Sequence, residues 1–599
     1  MMEKIHKYST QYSNFLGNCV YWLLLIFFSA LSCLSIFLWL PKNSYLQWIF
    51  AGFIYIFATA FIFIGLHKII LKYTLLRLNS YSIFWKIGFI CTCLLAGFWL
   101  SFNIPVVSPP PDLNYFITPI FVKIVYRIST GVAIGWALFF TITWIATSFP
   151  LKRQSGNNSS LFASSIKYAL PLGIVWGIYL LAFFPGMMSA DSMVQWEQVL
   201  SGRFVDHHPA FHTFLLWLLT RIYLSPAVIA IAQIIALALI SGLWFVFFER
   251  IGIRRWVIWF IVFIFAVIPV NGTMVNTLWK DIPYSIAILG LTLIIASIVA
   301  TQGEWIVSIS TRIILGVTAT LVMLLRHDGV AVGVGTLAIL FIAYPFRWKS
   351  WLVSCLICAF LYFGIRGPVY QWVGVEKSST LVEASLSFYS VAAYATPGSE
   401  SDLVVSSIGL LSPNWNCSIR SKLTPEASGV DLNRSITSVQ VMENIIRHLP
   451  NLLAYYGRCA RSLEWIVWDP NGEVRNASHV EVLDDPNPYG IFPDSQIPAV
   501  RAWITNWVIK TSHNTNLNWF IWRPALFLYL NLLVAAVLII RNHHLKFGLL
   551  PVPILIQSIT FSLILAEPNF RYHYAVYLVS LISVPLLFSP PLIKYKDVE

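Results

Sequence analysis

One segment of the chain places a carboxylate where it could act as a general base. Pro185 ends an apolar run, and Ser189 is of a type that commonly caps the next helix. Asp191 then falls in the first turn and, by its spacing, shares a face with Gln195 and Gln198. A carboxylate held on a short helix beside a membrane can accept a proton from a hydroxyl. It could equally do no more than stabilise the helix dipole.

Two adjacent histidines, His207 and His208, follow in the same loop. Pro209 suits the first turn of a second short helix. That helix would be amphipathic and interfacial, because it carries His212 and Arg221 among leucines and phenylalanines. Adjacent side chains point in different directions, and the HExxH spacing of a zinc helix is absent. We therefore favour polar contacts of the two histidines to a substrate over a shared metal ion.

Charged residues recur in three later polar stretches, each at the end of an apolar run. Their cations and carboxylates would suit a phosphate and an acceptor hydroxyl, and arginine binds phosphate through paired hydrogen bonds. The simpler interpretation is that long cationic side chains reach from a membrane boundary into water. The three stretches contain Lys280 with Asp281, Arg326 with His327 and Asp328, and Glu567 with Arg571 and His573.

The composition indicates which elements must position these residues. Of 599 residues, 58% are apolar and only 11% are charged, and the mean hydropathy is +0.72. Soluble domains carry about 25% charged residues, so a cytosolic enzyme is excluded. Disorder requires low hydrophobicity and is excluded as well. The chain is therefore predicted to be an all-α, polytopic membrane protein.

About fourteen apolar runs are long enough to cross a bilayer, which needs about 20 mostly apolar residues per helix. They lack the alternation of barrel strands. The first run is too long for the core of a signal peptide and is followed by no cleavage site. The predicted spans are 19–40, 46–66, 83–104, 128–149, 168–184, 226–248, 255–271, 282–301, 308–325, 329–346, 350–367, 521–541, 548–566 and 573–589.

Basic residues in short loops predict the orientation, because cytoplasmic loops are enriched in lysine and arginine. The loops on the side of both termini carry most of these basic residues. We therefore interpret the net charge of +13 as a sign of membrane orientation rather than of a nucleic-acid partner. Every polar stretch above would then face the extracytoplasmic side, where few cations are expected. Lys280, Arg326 and Arg571 depart from that expectation, and such costly polar residues often mark a substrate path.

The chain divides into four predicted regions, and the third has the turn formers and polarity of a mainly helical extracytoplasmic domain. Helices are expected in that domain near 437–466 and 496–510. Its cysteines, Cys417 and Cys459, could form a disulfide or remain free thiols. The regions are an N-terminal four-helix extension (1–167), a membrane core (168–367) with a catalytic loop (185–225), the extracytoplasmic domain (368–520) and C-terminal spans (521–599).

Six short motifs stand out between about 168 and 589: Phe184-Pro-Gly, Ser189-Ala-Asp-Ser with Gln195, His207-His-Pro, Trp279-Lys-Asp-Ile-Pro, Arg326-His-Asp-Gly and Phe570-Arg-Tyr. In these motifs the chain resembles the integral-membrane GT-C glycosyltransferases, and an uncharacterised group of bacterial multi-pass proteins close to them. The resemblance implies a GT-C-like core in a bacterial plasma membrane, with the catalytic carboxylate at Asp191. No DxD pair follows Asp191, so a metal cofactor is not supported.

The resemblance also implies an inverting transfer from a polyprenyl-phosphate-linked sugar to a glycan, lipid or protein acceptor of the cell envelope. Asp191 would be the general base, and cations would stabilise the leaving phosphate, with Arg571, Arg326 and Lys280 as candidates in that order. A polysaccharide polymerase or ligase, a transporter and a non-enzymatic envelope scaffold are the alternatives. Substrate-binding roles are expected for His207, His208, Lys280, Asp281, Arg326, His327, Asp328, Glu567, Arg571 and His573.

Overall fold

A computed structural model of the protein shows a helical chain in two compact units, Met1–Pro150 and Leu151–Glu599. The described residues are mainly helical, and no strand longer than an isolated β-bridge occurs among them. This confirms the all-α prediction for the described part. The structure describes residues 26–27, 29–34, 45–69, 83–102, 119–148, 161–377, 465, 467, 487–564 and 569–592.

The first unit contains α1 (Tyr45–Ile69), α2 (Ile83–Ser101) and α3 (Pro119–Ser148). Helices α2 and α3 approach closely because glycines face each other. A Cβ atom added to Gly97 would lie 2.2 Å from the backbone nitrogen of Gly135. Small residues at helix contacts are typical of membrane proteins, where packing rather than hydrophobicity holds helices together.

The second unit has one helix at its centre. That helix, α10 (Asp281–Ala300), buries most of its side chains. It packs against α7 (Pro226–Arg250), α11 (Ile309–Leu325), α18 (Val552–Ile564) and α19 (Tyr574–Ser583). Another close contact joins α4 to α7, where Gly242 faces the carbonyl oxygen of Ser165. The helices are α4 (Leu161–Ala182), α5 (Ala190–Ser201), α6 (Ala210–Thr220), α7 (Pro226–Arg250), α8 (Arg255–Val267), α9 (Pro269–Val275), α10 (Asp281–Ala300), α11 (Ile309–Leu325), α12 (Gly329–Ala343), α13 (Trp348–Gly364), α14 (Tyr370–Val373), α15 (Pro498–His513), α16 (Thr515–Ile521), α17 (Pro524–Asn542), α18 (Val552–Ile564) and α19 (Tyr574–Ser583).

Short irregular helices complete this unit. They include a π-helical turn at Ile365–Val369 that follows α13. The 3₁₀ turns are Glu304–Val307, Pro345–Arg347, Leu545–Leu549, Phe570–His573 and Val584–Phe588. Helix α15 confirms the helix expected near 496–510. The helix expected near 437–466, and both Cys417 and Cys459, lie outside the described residues apart from position 465, so these remain predictions.

Seven helices in the described ranges are long and apolar enough to cross a membrane, which fits a polytopic helical membrane protein. The predicted span 255–271 instead forms two helices, α8 and α9, that meet at 59° and would make an eighth span if counted together. Pro269 begins the second of them, and a proline favours such a break. Helices also occupy most other predicted spans, but several are shorter than a bilayer requires, as in α12 with 15 residues. The total of fourteen remains a prediction.

Candidate functional site

Seven charged or titratable side chains from different stretches of chain meet at one end of the helices of the second unit. One lies in the first turn of α5, two begin α10, two lie between α11 and α12, and one precedes α19. The seventh comes from the loop between α5 and α6. We call this group the polar cluster, and it consists of Asp191, His208, Lys280, Asp281, Arg326, Asp328 and Arg571.

The loop after α4 is fixed to the loop before α10 by backbone hydrogen bonds. Met187 N donates to Asn276 O at 2.9 Å, and Leu278 N donates to Met187 O at 2.9 Å. Gly186 precedes this contact with a φ of +127°, which an L side chain rarely adopts. The contact therefore brings the start of α5 next to the start of α10.

The beginning of α5 is held by side chains as well. Asp191 lies in the first turn, as predicted. Ser189 occupies the N-cap, but the expected cap hydrogen bond is absent. The Ser189 hydroxyl instead accepts from Trp279 Nε1 at 2.7 Å. Ser192 Oγ also donates to Leu278 O at 2.7 Å. These contacts leave the Asp191 carboxylate facing the residues that begin α10.

Asp191 forms an ion pair with Arg571. Its Oδ2 lies 2.7 Å from Arg571 Nη2, and the two side chains are 34% and 12% exposed. The same Nη2 donates to the hydroxyl of Tyr572 at 2.8 Å. The guanidinium lies over the ring of Trp279, 5.0 Å from its centre. Burial raises the pKa of Asp191, but its neighbours, with the charge of Arg571 the strongest, outweigh burial and hold the pKa below its usual range. Asp191 is therefore a carboxylate at neutral pH.

Arg326 is buried between two carboxylates. It donates to Asp281 through Nη1, and its Nε lies 2.9 Å from Asp328 Oδ1. The aromatic rings of Tyr284 and Phe561 also face the guanidinium, with centres 5.5 and 4.9 Å away. An arginine enclosed in this way joins α10, α11 and α12 and has little freedom to leave its partners.

His208 contacts Lys280 and is neutral. Lys280 Nζ lies 2.8 Å from His208 Nδ1, so the ammonium donates and the ring nitrogen accepts. Burial, with the nearby charge of Lys280 second, lowers the pKa of His208 to about 3. The ring of His207 is exposed, with its centre 4.9 Å from that of His208. The sequence predicted polar roles for both histidines, and the structure brings only His208 into the polar cluster.

Gln195 and Gln198 hold the loop together rather than facing the polar cluster. Gln195 Nε2 donates to Thr213 Oγ1 at 2.9 Å and lies 3.0 Å from His212 Nδ1, which joins α5 to α6. Gln198 Oε1 accepts from Val205 N at 3.0 Å. The i, i+4, i+7 pattern was correct for the helix, but the two amides have structural partners.

A second set of contacts, which we call the strap, joins the histidine loop (residues 202–209, between α5 and α6) to the segment 365–376 that follows α13. Asp206 Oδ2 lies 2.5 Å from Arg366 Nη2. Phe211 N donates to the hydroxyl of Tyr370 at 2.8 Å. Glu376 pairs with Val205 in an isolated β-bridge. Sequence reasoning missed the strap, although Arg366 beside a Gly-Pro pair at the end of a predicted span was a usable signal.

The remaining predicted site residues either lie outside the polar cluster or are not among the described residues. Glu567 is not among the described residues. His573 is buried, with its ring 5.2 Å from that of Phe561, and His327 is half-buried between α11 and α12. Arg523 at the start of α17 was not predicted, yet its side chain is almost fully buried.

Among the described residues, no three His, Cys, Asp or Glu side chains are arranged to hold a metal ion. The carboxylates of the polar cluster instead pair with arginine. No known protein family, curated protein or solved structure matches the chain.

Proposed function

We propose that the protein is a membrane glycosyltransferase that moves a sugar from a polyprenyl-phosphate-linked donor to a hydroxyl of a cell-envelope acceptor. The observation that carries the proposal is the contact of Asp191 with Arg571, at the end of a helical bundle of membrane type. It supplies a carboxylate base beside a cation that can bind phosphate. The resemblance of the sequence to the GT-C glycosyltransferases supports the same reaction.

The proposed location follows from the distribution of basic loops. The protein would lie in a bacterial plasma membrane with both termini in the cytoplasm, and the polar cluster would face the extracytoplasmic side. The donor would reach the polar cluster from the outer leaflet. This places the reaction where envelope acceptors are available.

In the proposed reaction Asp191 takes the proton from the acceptor hydroxyl. The acceptor oxygen attacks the anomeric carbon, and the bond from that carbon to the phosphate oxygen breaks. The electron pair leaves with the lipid phosphate, so the configuration at the sugar is inverted. Preorganised cations stabilise the negative charge that develops on the leaving group.

Two of the three candidate cations suit the leaving phosphate better than the third. Arg571 contacts a carboxylate that is one-third exposed, and Lys280 is half-buried beside a neutral histidine. Arg326 is enclosed by two carboxylates and by the aromatic rings of three residues. We therefore assign Arg571 and Lys280 to the donor phosphate and Arg326 to holding the helix ends.

The test is transfer of label from a panel of radiolabelled polyprenyl phosphate sugars to endogenous acceptors in membranes that contain the protein. Asp191→Asn should lower transfer by about 10²-fold or more, the range for loss of a general base, with expression unchanged. Glu197→Gln removes an exposed carboxylate from the same helix and should keep the wild-type rate. Normal product from Asp191→Asn would refute the assignment of the base.

A further inference from the structure

We infer that Asp191 and the phosphate of an anionic ligand compete for Arg571, so that ligand binding releases the carboxylate that acts as base. The inference rests on the proposed function for the identity of the anion, a prenyl phosphate. The proposed function does not itself couple donor binding to the base. Here, binding of the donor phosphate would free Asp191 to accept the proton of the acceptor hydroxyl.

The first support is the geometry of the ion pair. Asp191 approaches the terminal Nη2 of Arg571 at 2.7 Å and is the more exposed partner. The guanidinium is packed against Trp279 and Tyr572, whose ring centres lie 5.0 and 4.8 Å away. Its position is therefore fixed by the rings, while Asp191 covers its accessible end. A phosphate reaching that end would need the hydrogen bond that Asp191 holds.

The second support is the other end of the same guanidinium. Arg571 Nε is buried, lies 4.0 Å from Asp281 Oδ2, and neither atom has a hydrogen-bond partner among the described residues. Asp281 is committed to Arg326, so it does not neutralise Arg571 fully. Asp191 is therefore the carboxylate that balances Arg571.

The third support is the balance of charge around Asp191. Among the described residues, the groups that face its carboxylate are Arg571, Lys280 and the neutral His208. Asp281 and Asp328 both pair with Arg326. Positive charge from Arg571 and Lys280 thus lies beside Asp191, and it would attract an anion to the same place. An anion that binds Arg571 and Lys280 would leave Asp191 without its strongest partner.

The chemical consequence follows from the two opposing influences on Asp191. Burial favours the protonated acid, and the neighbouring cations favour the carboxylate. Once an anion neutralises Arg571, the influence of burial remains and the carboxylate becomes a stronger base. Asp191 would hold a proton weakly in the free protein and strongly when the phosphate is bound.

The test measures the affinity of the purified full-length protein for farnesyl phosphate, inorganic phosphate and the diester lipid phosphatidylglycerol. We expect Asp191→Asn to bind farnesyl phosphate about fivefold more tightly than wild type, a change of about 1 kcal/mol. Glu197→Gln should leave the affinity unchanged, because this exposed carboxylate lies on the same helix but is not a neighbour of Arg571. Thermal unfolding of each variant confirms that it is folded.

Equal or weaker binding of farnesyl phosphate by Asp191→Asn would overturn the competition. If Arg571→Ala still lost binding in that case, the proposed donor site would survive. Binding that does not change in Arg571→Ala, or no binding to any folded variant, would instead contradict the proposed donor site itself. A further outcome is that Asp191→Asn gains affinity for inorganic phosphate or phosphatidylglycerol but not for farnesyl phosphate. That result would assign the site to the anion that binds more tightly and contradict a prenyl-phosphate donor.

Discussion

Arg326 and Asp281 form a buried ion pair that joins the end of α11 to the beginning of α10. Their side chains are only 7% and 2% exposed. Asp328 accepts a further hydrogen bond from the same arginine. Because α10 is the central helix of the second unit, the pair fixes Lys280 and Asp281 relative to the rest of the polar cluster.

Replacing Arg326 with alanine should lower the stability of the protein strongly. It would remove the cation that Asp281 and Asp328 share and leave Asp281 only its 4.0 Å contact with Arg571 Nε. Breaking a buried pair in this way costs about 3–5 kcal/mol. The measurement is thermal or denaturant unfolding in detergent, followed by circular dichroism. Arg347→Ala is the matched control, because Arg347 pairs with Glu304 while both side chains are exposed. We expect a loss of about 0–1 kcal/mol there, and equal losses in the two variants would contradict the assigned role of Arg326.

The contact between α4 and α7 gives a second prediction. A Cβ atom added to Gly242 would lie 2.4 Å from the carbonyl oxygen of Ser165, whereas one added to Gly177 would meet no atom within 4 Å. Gly242→Ala should therefore force the helices apart at a cost of about 1–3 kcal/mol. Gly177→Ala should stay within about 0.5 kcal/mol of wild type. Unfolding of both variants in the same detergent checks the difference, and a neutral Gly242→Ala would show that the helices can separate freely.

The strap gives a prediction about catalysis rather than stability. Arg366→Gln removes the ion pair with Asp206, and Asp206 Oδ1 also accepts from Ala210 N at 2.9 Å at the start of α6. Because the pair is partly exposed, the loss of stability should be small, about 0–1 kcal/mol. Hydrogen exchange in 204–211 should become faster, and KM for the proposed donor should rise more than kcat falls.

Arg203→Gln is the control for this variant, since Arg203 is an exposed arginine of the same loop. Arg366→Lys should recover part of the exchange protection because it keeps the charge. If hydrogen exchange in 204–211 stayed at the wild-type rate in Arg366→Gln, the strap would not position the histidine loop.

Local features of the site were predictable, and the contacts between distant segments were not. The placement of Asp191 in the first turn of α5 depends only on the residues near it, so the helix-start signals were sufficient. The partner of Ser189 was mispredicted, because a tryptophan almost a hundred residues away competes with the local cap. The sequence grouped Asp191 and Arg571 on one side of the membrane, but their direct contact depends on how α5 and the turn before α19 pack.

The same limit applies to the helices. The apolar runs predicted the positions of the helices, because a helix that is buried must be apolar along its length. Helix α10 is an example, since most of its side chains are buried. They did not give the break between α8 and α9, since a proline at 269 can either kink a helix or end it. Sequence reasoning placed Gln195 correctly on the helix face of Asp191, but it could not give the partner of the amide, because the position of α6 decides that Gln195 contacts Thr213.

The final prediction concerns the pH dependence of stability through His208. Burial and Lys280 lower its pKa to about 3 in the folded protein, whereas a histidine in an unfolded chain has a pKa of about 6.5. Between these values the unfolded state binds more protons, so the free energy of unfolding should fall as the pH decreases below about 6.5. His212, whose pKa is also lowered to about 3 mainly by burial, acts in the same direction. The melting temperature measured from pH 7.5 to 5 should therefore decrease toward acid.

His208→Gln should make this decrease shallower, because the variant has one buried histidine fewer to protonate on unfolding. His207→Gln is the control for expression and folding, since the ring of His207 is exposed in the same loop. An unchanged slope in His208→Gln would mean that His208 is not buried as a neutral acceptor for Lys280. A shallower slope would also support the role proposed for Lys280 at the donor phosphate. In that role a neutral His208 orients the Lys280 ammonium and adds no charge of its own.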